Sequence, residues 1–231
     1  MAIKDLEKVV RMHGAGNKFL IIDEFSGSKI SDRDKQEFVL ENAKKGGVDG
    51  IIFVQNANGK VKMNYYDRDG TKSMMCGNGL RCTARYSFDK GYIQNASEII
   101  TGDGLKRVSV REDGLIEADM GIPRHFRRIA ENDFFVFTGV PHYVRFVGDI
   151  TKAEAFEDGR KIRYNQDLQR ALGYKSLNVN FAMLSGKNKI GLMTYEAGVE
   201  DITEACGTGS VATAYVAAKE RGVQFPASVY N

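Results

Sequence analysis

Tryptophan is absent from this chain of 231 residues, and cysteine, histidine and proline occur only three times each. Three cysteines are an odd number at spacings unlike a disulfide framework, which excludes a small stapled exported domain. No C-x-x-C pair exists for dithiol exchange, and Cys76 and Cys82 have no histidine near them to complete a metal site. Neither a metal nor a redox cofactor is therefore expected. No apolar run reaches the ~18 residues of a membrane-spanning helix. No charge sign dominates, with 33 basic residues against 30 acidic ones and a net charge of +3. Without a basic block, neither nucleic acid nor an anionic membrane surface is an expected partner. The opening residues MAIKDLEKVV lack the apolar core of a leader peptide, so a cytoplasmic location is expected.

What the chain does have is glycine, 25 residues of it, spread between short apolar runs. Runs of strand length lie at 19–22, 51–54, 61–66, 108–110, 115–120, 134–137, 143–147, 179–184 and 190–195, separated by glycine and Asx clusters. Residues 32–45 read as an amphipathic helix with Ser31 as N-cap. Residues 79–90 and 209–220 read as helices that are apolar on most faces, the pattern of a buried helix. The expected class is α+β, with strands dominating.

The architecture follows from an internal repeat. Residues 76–84 read CGNGLRCTA and residues 206–214 read CGTGSVATA, five of nine positions agreeing at an offset of 130. Tyr65 and Tyr195 stand the same distance before their cysteines. Two pseudo-symmetric halves are expected, 1–133 and 134–231, each a mixed sheet or barrel wrapped around a buried central helix, with a cleft between them. The second half ends 25 residues after its cysteine, so it is expected to lack the closing strands of its twin. Residues 207–212 also satisfy G-x-G-x-x-A, but no following strand and acidic residue can be placed for a dinucleotide fold.

A cysteine before a Gly-x-Gly turn that opens a helix occupies a distinct electrostatic position. The helix N-terminus carries about half a positive charge, which favours a thiolate. Its unpaired N–H groups form an anion site suited to a carboxylate. Two such turns around one amino acid fit proton abstraction at Cα by one sulfur and proton delivery by the other. The third cysteine, Cys82, lies inside the helix and reads as a small buried hydrophobe.

At these residues the sequence resembles the diaminopimelate epimerase family. The resemblance rests on MHGAGNKF at 12–19, MCGNGLRC at 75–82, GVPH at 139–142 and ACGTG at 205–209. It implies two α/β halves, catalysis by Cys76 and Cys206, and no pyridoxal phosphate. It further implies substrate contacts from Asn17, Gly77, Asn78, Asn178, Glu196, Gly207 and Thr208. The backbone N–H groups at Gly77, Asn78, Gly207 and Thr208 would hold the reacting carboxylate, and His142 and Glu196 would tune the thiols. The competing structural readings are a loop histidine for His142 and Asx turns for Asn17 and Asn178. The implied partner is a small-molecule amino-acid substrate, and a homodimer is left open.

Four positions depart from the family pattern. Glu196-Ala197 stands where Glu-Arg is usual, Asp67 replaces an asparagine, Val140 replaces the asparagine before Pro141, and Gly50 replaces a frequent glutamine. Without the arginine, a distal carboxylate loses its bidentate partner, and Asp67 would repel it. The expected function is a cofactor-independent amino-acid racemase acting on a cationic or hydrogen-bond-donating side chain, with histidine as the leading substrate. The alternatives are a diaminopimelate epimerase and a non-catalytic amino-acid-binding homologue.

Overall fold

The computed structural model describes residues 9–28 and 30–231. The chain divides into two compact units, one ending at Asp119 and the other spanning Met120–Asn231. The first contains β1 (Val9–Gly14), β2 (Asn17–Glu24), α1 (Lys35–Gly46), β3 (Gly50–Ala57), β4 (Lys60–Asp67), β5 (Lys72–Ser73), α2 (Gly77–Asp89), β6 (Ala96–Thr101), β7 (Gly104–Val110) and β8 (Ile116–Ala118). Its sheet runs β1-β2-β3-β4-β6-β7-β8, with β5 also beside β4. Both β1 and β8, at opposite edges of the sheet, reach α2, so the sheet curls round that helix.

Side chains alternate across a strand, and the two faces of this sheet bury different helices. Leu20, Ile22, Ile51, Phe53 and Tyr66 pack with Phe38, Val39 and Ala43 of α1. Ile52 faces the other way, against the start of α2 at Gly79. The edge-to-face contacts of Phe53 with Phe38 and Tyr66 each add about 0.5–1.5 kcal/mol beyond buried area. Helix α1 begins one turn later than Ser31 suggests, with Asp34 as N-cap. Ser31 instead closes the preceding turn, its carbonyl accepting from Asp34 and Lys35 N–H.

The second unit follows the same plan. It contains β9 (Arg124–Arg128), β10 (Asp133–Phe137), β11 (Pro141–Phe146), α3 (Lys152–Arg163), α4 (Gln166–Leu172), β12 (Asn178–Gly186), β13 (Lys189–Glu196), β14 (Asp201–Thr203), α5 (Gly207–Arg221) and β15 (Ser228–Tyr230). The sheet order is β14-β13-β12-β11-β10-β9, with β15 also beside β13. Phe134, Val136, Val144, Phe146, Ala182 and Ile190 pack on Ala212, Val216 and Ala217 of α5. Tyr143, Val179, Phe181 and Tyr195 form the opposite face, against Ala155 and Phe156 of α3.

Matching the strands corrects the register of the repeat by one residue. The inter-strand pair Ile52–Tyr65 corresponds to Asn180–Thr194, and Gly50–Asp67 corresponds to the ends of β12 and β13 at Asn178 and Glu196. Tyr195 therefore matches Tyr66, not Tyr65; both pack beneath an outer helix. The loop from β4 to Cys76 is one residue shorter than that from β13 to Cys206, so equal spacing to the cysteines mispairs the strands. Asp67 and Glu196 are the true counterparts.

Two further expectations change. The boundary lies near residue 120 and not at 133, because β9 pairs with β10 of the second sheet. The second half carries a counterpart of β6: β15 runs parallel to β13 as β6 runs parallel to β4. Among the described residues, β7 and β8 have no counterpart after β15. No described helix is long and apolar enough to cross a membrane.

Candidate active site

In each unit the buried helix starts at a cysteine. Cys76 is the N-cap of α2, with φ −143° and ψ 116°, and its sulfur accepts from Gly79 N–H at 3.4 Å. Cys206 is the N-cap of α5, with φ −126° and ψ 106°, and its sulfur accepts from Gly209 N–H at 3.4 Å. A sulfur thus does what a serine or aspartate oxygen does at an ordinary N-cap, and the extended backbone tips it out of the helix. The first-turn N–H groups of residues 77, 78, 207 and 208 lie where helices lack internal partners.

Around Cys76, the β1–β2 hairpin turns through Ala15 and Gly16, at φ 47° and 87°, and delivers Asn17 to the start of α2. Asn17 Oδ1 accepts from Asn78 Nδ2 at 2.6 Å, and Asn17 Nδ2 donates to Asp49 Oδ2 at 3.3 Å. Arg81 donates to Asn78 Oδ1 at 2.6 Å and to the Gly77 carbonyl at 3.3 Å. Asp49, Asn17, Asn78 and Arg81 therefore form one chain across the helix start. Asn17 is held by side chains across the unit, which the Asx-turn reading did not anticipate.

Asp67 ends β4, and its Oδ1 accepts from Tyr65 OH at 2.6 Å. Burial, with Asp69 adding to it, pushes the Asp67 carboxyl up to about 6 against the opposing hydrogen bonds from Tyr65 and Ser73. The Tyr65 ring lies across Gly50, where a Cβ would come 2.5 Å from Tyr65 Cε2 and 2.5 Å from the Tyr66 carbonyl oxygen. Absence of a side chain at 50 is thus what lets Tyr65 reach Asp67. Gly50→Ala should destabilise the fold by about 1–3 kcal/mol, the usual range for overpacking. Urea unfolding checks this, and an unchanged midpoint would refute the contact.

Around Cys206 the surroundings are polar. The Thr208 hydroxyl lies 3.4 Å from the sulfur, and the Thr208 carbonyl accepts from Thr138 Oγ1 at 2.9 Å. Asn178 Oδ1 accepts from Ala197 N–H at 2.9 Å, pinning the turn after Glu196. Burial pushes the Cys206 thiol up to about 12, and the Glu196 carboxylate adds to the rise while Thr208 and Gly209 oppose it. His142 is fully buried, in register with Asn178, and burial drives its ring down to about 3, so it is neutral. Burial also pushes the Cys82 thiol up to about 11, as suits an inert helix residue.

Within the first unit, then, Asn17, Gly77 and Asn78 stand at the start of α2 with Cys76, and Asp67 stands at the end of β4 with Tyr65 and Gly50. Within the second, His142, Asn178, Glu196, Gly207 and Thr208 belong with Cys206. Sequence reading missed Asn180, Thr194 and the hydroxyl role of Tyr65. Strand alternation could have found them, since each stands two residues from a residue already singled out.

The sequence pattern of the diaminopimelate epimerase family matches residues 9–126 and 134–229. The chain is 36% identical over 230 residues to the diaminopimelate epimerase of Archaeoglobus fulgidus, covering 90% of this chain and 80% of the relative. It is 34% identical over 218 residues to that of Thermotoga maritima, covering 91% and 87%. Two solved structures share the fold. A predicted epimerase of Pseudomonas aeruginosa gives a TM-score of 0.69 at 15% identity, covering 94% of this chain and 83% of that one. A hydroxyproline epimerase of Agrobacterium vitis gives 0.65 at 14% identity, covering 99% and 81%. Two cysteine-capped buried helices, one in each unit, and a match that spans both units make this chain an isomerase of the epimerase and racemase class, and it belongs to the diaminopimelate epimerase family.

Proposed function

We infer that the protein inverts Cα of a free amino acid by a two-base mechanism using Cys76 and Cys206. The observation that carries this reading is the duplicated cysteine N-cap, with the same sulfur-to-N–H contact in both units. The N–H groups of Gly77, Asn78, Gly207 and Thr208 hold the substrate carboxylate. One sulfur, as thiolate, takes the Cα proton and becomes a thiol. The electron pair spreads into the carboxylate, where the fixed N–H dipoles stabilise it. The opposite thiol gives its proton to the other face of Cα and becomes the thiolate. The bonds balance, and no proton is exchanged with solvent during the inversion itself.

The distal side chain meets Asp67, with Ala197 in place of a guanidinium. A cationic or hydrogen-bond-donating side chain suits this position, and histidine is the leading substrate. Diaminopimelate itself is the second reading, favoured by the names of the relatives at 33–36% identity. A panel of L- and D-amino acids, including diaminopimelate, incubated in deuterium oxide decides between them. Deuterium should enter Cα of histidine or another cationic amino acid as the enantiomer forms. Tight binding without exchange would instead indicate a non-catalytic amino-acid-binding protein.

A further inference from the structure

Beneath Cys206 lies a buried polar chain that spans β11, β12 and β13. Asn180 is completely buried, and its Oδ1 accepts from Thr194 Oγ1 at 3.0 Å. Its Nδ2 donates to the Tyr143 carbonyl at 3.0 Å and lies 2.9 Å from His142 Nδ1. The amide cannot be turned over. Its oxygen would then face the Tyr143 carbonyl, two acceptors without a proton between them. With nitrogen on that side, His142 Nδ1 faces a donor and must be the bare, accepting nitrogen. A doubly protonated ring would set two donors against each other, in keeping with its depressed basicity.

The remaining nitrogen, His142 Nε2, is buried and has no hydrogen-bond partner among the described residues. Leaving a buried N–H without an acceptor costs its full desolvation penalty, so this nitrogen calls for a functional reason. The same chain also abuts the cysteine turn. A Cβ on Gly209 would collide with Asn180 Oδ1 and lie 3.2 Å from Cys206 Sγ. In the first unit the matching residues are Phe19, Ile52 and Tyr65, so the chain is particular to the Cys206 side.

We propose that Asn180 is a positioning residue that fixes the proton of His142 on Nε2, so that this histidine serves the site as a hydrogen-bond donor and not as a base. The acceptor is a charge that forms during the reaction, on sulfur or on the substrate carboxylate. The Tyr143 carbonyl dictates the amide orientation, the amide dictates the tautomer, and Thr194 braces the far side. The ring is thus joined to Thr194 and to the Tyr143 carbonyl only through Asn180. This assignment rests on the inversion reading of the site only for its kinetic consequence.

The test is nitrogen-15 NMR of histidine-labelled protein without substrate. Only three histidines are present, and His142→Gln identifies the resonances of interest. The wild type should show Nε2 protonated and Nδ1 bare, and Thr194→Val should keep that pattern, because the Tyr143 carbonyl still orients the amide. Asn180→Ala and Asn180→Ser should release the ring into a mixture of tautomers. They should also lower kcat on the order of tenfold while KM changes little, as expected for loss of acid–base positioning. A wild-type ring protonated on Nδ1, or a charged one, would overturn the assignment. So would Asn180 variants that keep both tautomer and kcat. Because the tautomer is read without turnover, an enzyme that exchanges no Cα proton would sink the inversion reading and leave this result standing.

Discussion

Replacing Cys76 or Cys206 with serine should lower the rate of enantiomer interconversion on the order of 10³-fold, the scale of a lost acid or base. A serine hydroxyl keeps the N-cap bond but holds its proton far too tightly to act as a base at neutral pH. The pattern of failure is more informative than its size. In either variant one sulfur remains, and it still faces one side of Cα. It should remove and return the proton of the single enantiomer it faces, giving deuterium exchange without inversion. The two variants should prefer opposite enantiomers. Chiral chromatography with mass spectrometry in deuterium oxide reads both quantities. Interconversion at the wild-type rate in either variant would refute the two-base mechanism.

The second large effect concerns Asp67. Asp67→Asn should reduce kcat/KM for a cationic amino acid on the order of 100-fold, as expected when one member of a desolvated charge pair is removed. The raised carboxyl also sets a pH dependence. Below about 6 the group is neutral and attracts no cation, so wild-type kcat/KM should rise as pH passes through about 6. That limb should vanish in Asp67→Asn. Stability should move the other way. A carboxyl raised from 3.8 to about 6 favours the folded state in its protonated form, an advantage fully present below 3.8 and lost as pH rises through about 6. Asp67→Asn should therefore stabilise the protein fully above pH about 6, by less as the pH falls from there towards 3.8, and not at all below 3.8, as thermal melts across pH would show. Adding Ala197→Arg to Asp67→Asn should improve diaminopimelate turnover. Turnover of diaminopimelate by the wild type, with none of cationic amino acids, would refute the specificity assignment.

Much of this organisation was legible before any coordinates. The strands at 19–22, 51–54, 134–137 and 190–195 all lie within observed elements, because continuous apolar runs mark strands buried on both faces. The duplicated Cys-Gly motif located both buried helices within two residues of their starts. Helix α3 escaped notice because its apolar residues are few, although Thr151 and Glu154 form a capping box visible as T-x-x-E. Strands β9 and β15 escaped for a different reason. RHFRR and SVY hold too little apolar pattern to stand apart from a loop, and pairing with β10 and β13 gives them their strand form. The one-residue slip between the halves needed the strand register, since a shorter loop preserves motif similarity while shifting every side chain behind it. His142 was named from a resemblance, yet its tautomer depends on the Tyr143 carbonyl, a backbone atom that no motif displays.

The cysteine N-caps carry one last consequence. On the two-base reading, the sulfur that accepts from Gly79 or Gly209 N–H is also the sulfur that gains or loses a proton in the inversion. A thiolate accepts that bond with its full charge, and a thiol accepts it weakly. Each inversion therefore tightens the first turn of one helix and loosens that of the other, leaving their combined strength nearly level. The enzyme ends a cycle as the protonation mirror image of the form that began it. On that reading, turnover in one direction includes a return step, with no substrate bound, that restores the starting protonation of both sulfurs.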